Sequence, residues 1–166
     1  MNLAARTPVQ TAWVSRELNA TEAALARLLG VRKWVRMPGV RFGPDDCTYR
    51  GEPADFSADI SLSYLGDMQL ELIAPMHGRS IYHDFLAAAG PGLHHICVAA
   101  DSAEDFDARC AAAVAGGADL VQHGTMAGGM QFAYLAAPQA GVPYLEIAHF
   151  PAEIRAFFDY IKQEQR

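Results

Sequence analysis

Gln10-Thr-Ala-Trp-Val14 and His95-Ile-Cys-Val-Ala99 stand 85 residues apart, and Met68-Gln-Leu-Glu-Leu-Ile73 and Pro143-Tyr-Leu-Glu-Ile-Ala148 stand 75 apart. With the first pair superposed, Leu18 falls on Ala103 and Gly30 on Ala115, beside Gly116. A strand, the helix after it and the glycine that stops the helix thus recur together. The second pair sets Glu71 over Glu146, and the difference between the two offsets fits a longer loop in the first half. The chain reads as one supersecondary unit used twice.

Working outward, Pro8 to Ser15 suits a strand, and Leu18 to Leu29 carries a helical apolar stripe stopped by Gly30. Val31 to Met37 suits another strand, and Pro38 to Asp55, rich in Gly, Pro and Asp, reads as a long loop bordering a site. Ala58 to Leu65 and Met68 to Ala74 flank Gly66-Asp67, the signature of a tight hairpin. Pro75 to Pro91 is a connection with a short helix, Ser80 to Ala89. The order then restarts: strand Leu93 to Ala100, helix Ser102 to Ala115 with Ser102 as its cap, and strands Asp119 to Gln122, Gln131 to Ala136 and Pro143 to Ala148. Pro151 opens a last helix whose Ile154, Phe157, Phe158 and Ile161 form a stripe that the domain or a second chain must cover. The expected class is α+β, a single domain of two tandem βαβββ modules (8–75 and 92–150), a linker (76–91) and a C-terminal helix (151–166).

The chain has 166 residues, 51% hydrophobic and 19% charged, which excludes disorder and suits one compact domain. A net charge of −6 provides no basic field, so neither nucleic acid nor an anionic membrane is an expected partner. No apolar run approaches the ~20 residues that span a bilayer, and Met1 to Trp13 has no core of signal-peptide length. A soluble cytoplasmic protein is expected. Cys47, Cys97 and Cys110 are widely separated and suit reduced thiols.

Side chains alternate across a strand, so Gln10, Ala12 and Val14 share one face, as do His95, Cys97 and Ala99. Glu71 and Glu146 project opposite to their leucine and isoleucine neighbours. If all four polar side chains enter one lumen, two negative charges converge in a low-dielectric space, and a divalent cation offsets them. Taken singly, Glu71 and Glu146 equally suit the wet face of an antiparallel sheet, and His95 a satisfied buried histidine. His94 is expected to point the opposite way from His95. The repeat is what unites Gln10, Glu71, His95 and Glu146 as a candidate metal-ligand set.

Gly92-Leu-His-His-Ile96, Met68-Gln-Leu-Glu-Leu-Ile-Ala-Pro75 and Gly141-Val-Pro-Tyr-Leu-Glu-Ile147 resemble the vicinal oxygen chelate superfamily, over about residues 8 to 150. That family includes glyoxalase I, methylmalonyl-CoA epimerase, extradiol dioxygenases and bleomycin-resistance proteins. The resemblance implies an open, curved eight-stranded sheet around a metal ion, with two ligands from each module: Gln10 and Glu71, then His95 and Glu146. It further implies an isomerase, epimerase or lyase that abstracts a proton beside a carbonyl, with Glu146 as the base and Glu71 as a second base. The cofactor implied is a divalent ion, Zn, Ni, Co or Mn. The substrate is a small carbonyl compound, and members of the family often form homodimers. Departures are informative. The epimerase has His where Gln10 stands. The glutathione-holding positions of glyoxalase I are occupied by Val14, Pro75 and Pro91, which favours a small apolar or aromatic substrate. Gln10 also removes one histidine of the dioxygenase iron triad. The alternative is a non-catalytic small-molecule binder of the bleomycin-resistance type. Phe132, Tyr134, Tyr64 and Trp34 are candidate pocket walls, and Arg41, Arg50 and Arg79 are the cations available for an anionic group.

Overall fold

The chain runs β1 (Pro8–Val14), α1 (Leu18–Leu29), β2 (Val35–Phe42), β3 (Cys47–Tyr49), β4 (Glu52–Pro53), β5 (Phe56–Leu65), β6 (Met68–His77) and α2 (Ile81–Ala89). It continues β7 (Gly92–Ala100), α3 (Ala103–Ala115), β8 (Leu120–Thr125), β9 (Gln131–Ala136), β10 (Tyr144–His149) and α4 (Ala152–Gln163). These elements come from a computed structural model that describes residues 5–166. The strands form a single curled, open sheet in the order β2-β5-β6-β1-β7-β10-β9-β8-β3-β4. β1 and β7 meet antiparallel at its centre, and each pairs in parallel with the closing strand of its own half.

The repeat holds to the residue. Ala12 stands beside Glu71 in the β1–β6 register, and Cys97 beside Glu146 in the β7–β10 register. In each half the first-strand polar residue, Gln10 or His95, lies two positions before that small partner. Helix signals act as read: Gly30 ends α1 in the left-handed region (φ 74°), and the Ser102 hydroxyl accepts from the Asp105 N–H at 3.1 Å. Gly66 (φ 58°) and Asp67 make the two-residue turn between Leu65 and Met68.

Three expectations need correction. The sheet has ten strands where eight were expected, and Pro38 to Asp55 is not a loop. β2 runs through Pro38-Gly39 by a register shift between Met37 and Val40; as an edge strand it has no outer ladder for the proline to interrupt. The rest of that segment forms the β3–β4 hairpin, turned by Arg50 (φ 52°) and Gly51 (φ 81°) as in a type I′ turn. β3 crosses over to extend the second half, Cys47 to Tyr49 pairing with Gln122 to Gly124. The third correction concerns His94. A bulge opposite Ala12 and Trp13 breaks the alternation, so His94 lies among Tyr82, Tyr134, Tyr144 and the His95 ring rather than on the opposite face.

The concave face holds the main core, in which Phe42 stacks on Phe56 with centroids 4.4 Å apart and meets Phe132 edge-on. Ile147, Leu135 and Ala133 pack on the convex side beneath Phe106 and Ala113 of α3. The α4 stripe is covered by its own domain: Ile161 is fully buried in the concave core and Phe157 and Phe158 pack against it. Among the described residues, no helix is long and apolar enough to cross a membrane, and the three cysteines are free thiols.

Candidate functional site

Four adjacent strands, β6, β1, β7 and β10, bring one polar side chain each to the middle of the concave face. His95 Nε2 lies 3.1 Å from Glu146 Oε2, 3.4 Å from Glu71 Oε2 and 3.3 Å from Gln10 Oε1. Gln10, His95 and Glu146 are buried, and the Glu71 side chain is only 13% exposed, which rules out a wet face for either acid. The small Ala12 and Cys97 beside the two glutamates are what leave room for the carboxylates to lean inward.

Each half orients its first-strand residue differently. The Gln10 Nε2 donates to Gln69 Oε1 at 2.6 Å, and Gln69 Nε2 donates in turn to the Tyr64 hydroxyl at 2.9 Å, which turns the Gln10 carbonyl oxygen toward His95. His95 Nδ1 lies 2.9 Å from His94 Nδ1. One of these nitrogens must donate and the other accept. A lone pair on His95 Nε2 requires that His95 Nδ1–H be the donor, which leaves the proton of His94 on its Nε2. That atom is buried without a hydrogen-bond partner, enclosed by the rings of Tyr82, Phe85 and Tyr144.

Electrostatics follow from this crowding. Burial pushes the Glu71 carboxyl up despite the His95 contact, and burial with the facing His95 holds His94 neutral. Burial also works against a charged His95, but Glu146 and Glu71 outweigh it and raise the imidazole to about 9. Burial raises the Cys97 thiol and the Tyr82 and Tyr134 phenols, and the nearby carboxylates add to it. Two acids this close call for positive charge, and the raised His95 imidazole is the group among the described site residues that can supply it.

Among the described residues, no three His, Cys, Asp or Glu side chains form a preformed metal cage, and the two acids contact His95 directly. The donor set nevertheless fits an ion. Bonds of about 2.0–2.2 Å to a common ion separate neighbouring donors by roughly 3.0–3.5 Å, the spacing found here around Nε2. Three oxygens and one imidazole suit a borderline divalent ion, and nothing in the set demands zinc over nickel, cobalt or manganese.

Gln10, Glu71 and Glu146 floor a cavity of about 320 Å³, with the fully buried His95 behind them, and its walls come from both halves and from α4. Tyr82 and Tyr134 line it, their hydroxyls 2.8 Å apart. The pair shares one hydrogen, so the second hydroxyl hydrogen is left for a bound molecule. Phe132 and Arg41 also line the cavity, whereas Trp34 does not and Tyr64 acts only through Gln69. Arg50 and Arg79 flank the Tyr49 ring beside Asp84, away from the site. Residues not anticipated from sequence are Tyr82, which lies in the segment read as a connection, and Met126 and Met130, in a turn with no periodicity. The α4 stripe was legible; its target, the cavity, was not.

The profile of the glyoxalase/bleomycin resistance protein/dioxygenase superfamily matches residues 9–134. A solved structure of a hypothetical protein from Bacillus halodurans is similar at 18% identity and a TM-score of 0.61, covering 87% of this chain and 94% of that one. Methylmalonyl-CoA epimerase from Mycobacterium tuberculosis is similar at 17% identity and a TM-score of 0.61, covering 94% and 97% of the two chains. A variant of the Streptomyces coelicolor epimerase, bound to 2-nitronate-propionyl-CoA, matches at 16% identity and a TM-score of 0.57, covering 89% and 100%. No curated protein sequence matches the chain.

Proposed function

The chain belongs to the glyoxalase/bleomycin resistance protein/dioxygenase superfamily, and on that premise we propose that it is a metal-dependent isomerase, epimerase or lyase moving a proton beside a carbonyl. One observation carries the reading: two carboxylates, an imidazole and an amide oxygen converge on one point at the floor of an otherwise apolar cavity. Such a concentration of buried acid is costly unless a cation is held there. The fold shared with methylmalonyl-CoA epimerases supports the chemistry by analogy.

Gln10 Oε1, Glu71, His95 Nε2 and Glu146 would hold the ion. When bound, it would supply a Lewis acid for the substrate's carbonyl oxygen. Glu146 takes the proton from the carbon next to that carbonyl. If the centre inverts, Glu71 serves the opposite face: it must enter the step as the carboxylic acid and ends ionised as Glu146 ends protonated. If the double bond migrates, Glu146 returns its own proton to a neighbouring atom. The spare hydroxyl hydrogen of the Tyr82–Tyr134 pair donates to the developing enolate oxygen. His94, accepting from His95 Nδ1, keeps the imidazole lone pair on the side of the acids.

The test is solvent deuterium uptake by a panel of α-keto, 2-hydroxycarbonyl and thioester compounds, with the ion present and Glu146→Gln as control. Uptake lost in the variant supports the reading. Tight binding of a panel member without any uptake reassigns the protein to ligand sequestration.

A further inference from the structure

Resting on that reading, we propose that the substrate is a neutral carbonyl compound with a bulky apolar body, aryl or branched alkyl, seated against the C-terminal helix. The polar lining of the cavity is its floor, the Tyr82–Tyr134 pair and Arg41; Phe42, Leu62, Met130, Phe132, Phe157 and Phe158 are among the walls. A ligand is therefore asked for oxygen at one end and hydrocarbon at the other. The cavity volume of about 320 Å³ equals that of about ten water molecules in the liquid, room for a one- or two-ring body.

Charge narrows the class. Among the described residues lining the cavity the only cationic side chain is Arg41, and it is turned to solvent, 70% exposed and paired with Asp55 at 3.0 Å. A divalent ion balances Glu71 and Glu146, so a carboxylate or phosphate on the substrate's body finds no counter-charge and loses its hydration. Helix α4 adds Ile154, Phe157 and Phe158 to the apolar walls and is anchored by Ile161, which is fully buried in the core. A phosphate-bearing coenzyme arm would find, among the cationic side chains of the described lining, only the Arg41 that is already paired with Asp55.

Calorimetric titration of the full-length, Zn-loaded protein tests the proposal with 2-hydroxyacetophenone, its 4-carboxy derivative, hydroxyacetone and acetyl-CoA. The expected result is that 2-hydroxyacetophenone binds at least tenfold tighter than each of the other three. Equal or tighter binding of the carboxylate, of hydroxyacetone or of the thioester overturns it. Met126→Arg, a half-buried wall position, should erase the penalty on the 4-carboxy derivative; an unchanged ranking in that variant also overturns the proposal. Repeating the titrations on chelator-stripped protein separates the two claims. If the metal reading fails, stripping leaves every affinity unchanged while the ranking persists. If the substrate class fails, the ranking is lost while zinc stays stoichiometric.

Discussion

In the first half, Gln10 is aimed by a side-chain relay through Gln69 to Tyr64, whereas in the second half His95 is aimed by its chain neighbour His94, thrown onto the same face by a bulge. The glutamates differ in company too: Leu62 lies across from Glu71, and Tyr134 lies across from Glu146. The helices diverge further. α1 has no side-chain cap and no buried residue, while α3 is capped by Ser102 and buries Phe106, Arg109, Ala112 and Ala113. A duplicated unit has thus kept the floor, where small neighbours must leave space for converging carboxylates. It has varied everything that orients, caps or walls that floor. The second half carries the better-buried machinery, and the first half lends it a hairpin at its outer edge.

The largest expected asymmetry lies between the two acids. Glu146→Gln should lower kcat by about 10²–10⁴ and abolish deuterium wash-in. Glu71→Gln should lose inversion of the centre yet keep wash-in if Glu146 acts alone on one face. Equal loss of wash-in in both variants would make the halves chemically equivalent. Next come the orienting residues. His94→Phe should weaken metal binding by about 10–100-fold in a chelator competition, with the ¹⁵N signal of His95 losing its fixed tautomer. His94→Asn, which offers an acceptor oxygen near the Nδ1 position, should restore most of it. Gln69→Leu should cost less than His94→Phe, because the freed Gln10 amide still carries its oxygen and loses only the bond that holds that oxygen toward His95.

Two smaller effects probe the scaffold. Gly124→Val attacks the crossover: an added Cβ would stand 2.5 Å from Cys47 Sγ and 2.7 Å from the Asp46 carbonyl oxygen. A loss of roughly 1–3 kcal/mol in urea unfolding is expected, with metal content unchanged. Glu22→Gln tests how the loosely packed α1 is retained. Arg36 bonds both Glu22 oxygens, at 2.9 and 2.6 Å, and Ser61 donates at 2.6 Å. Burial works to raise that carboxyl, but the Arg36 and Ser61 bonds outweigh it and hold it below the ordinary range. The folded-state value being depressed, the contribution is present above the unfolded value, roughly 4.3, and disappears as pH falls through the folded one. Wild type should exceed the variant by about 1 kcal/mol at neutral pH, and the gap should close in acid.

Much of this was legible because alternation and offset are local properties. Gln10, Ala12 and Val14 declare a face, and an offset of 85 finds its duplicate at His95 and Cys97. The crossover was not legible, since strands of two and three residues among Gly, Pro and Asp have no period, and β3 takes its partner from about 75 residues away. The bulge at His94 is set by the register of β1 against β7, which no single strand encodes. For α4, Ile154, Phe157, Phe158 and Ile161 announced an apolar face, but only the curl of the sheet brings a cavity beneath it.

Both halves are proposed to serve one cation. Anomalous diffraction from crystals of protein purified without chelator, recorded on both sides of the absorption edge of the metal found by elemental analysis, tests it most directly. One peak per chain is expected, bonded to Gln10 Oε1, Glu71, His95 Nε2 and Glu146. Crystals grown with excess zinc that show no peak there, with His95 still hydrogen-bonded to both acids, would contradict it.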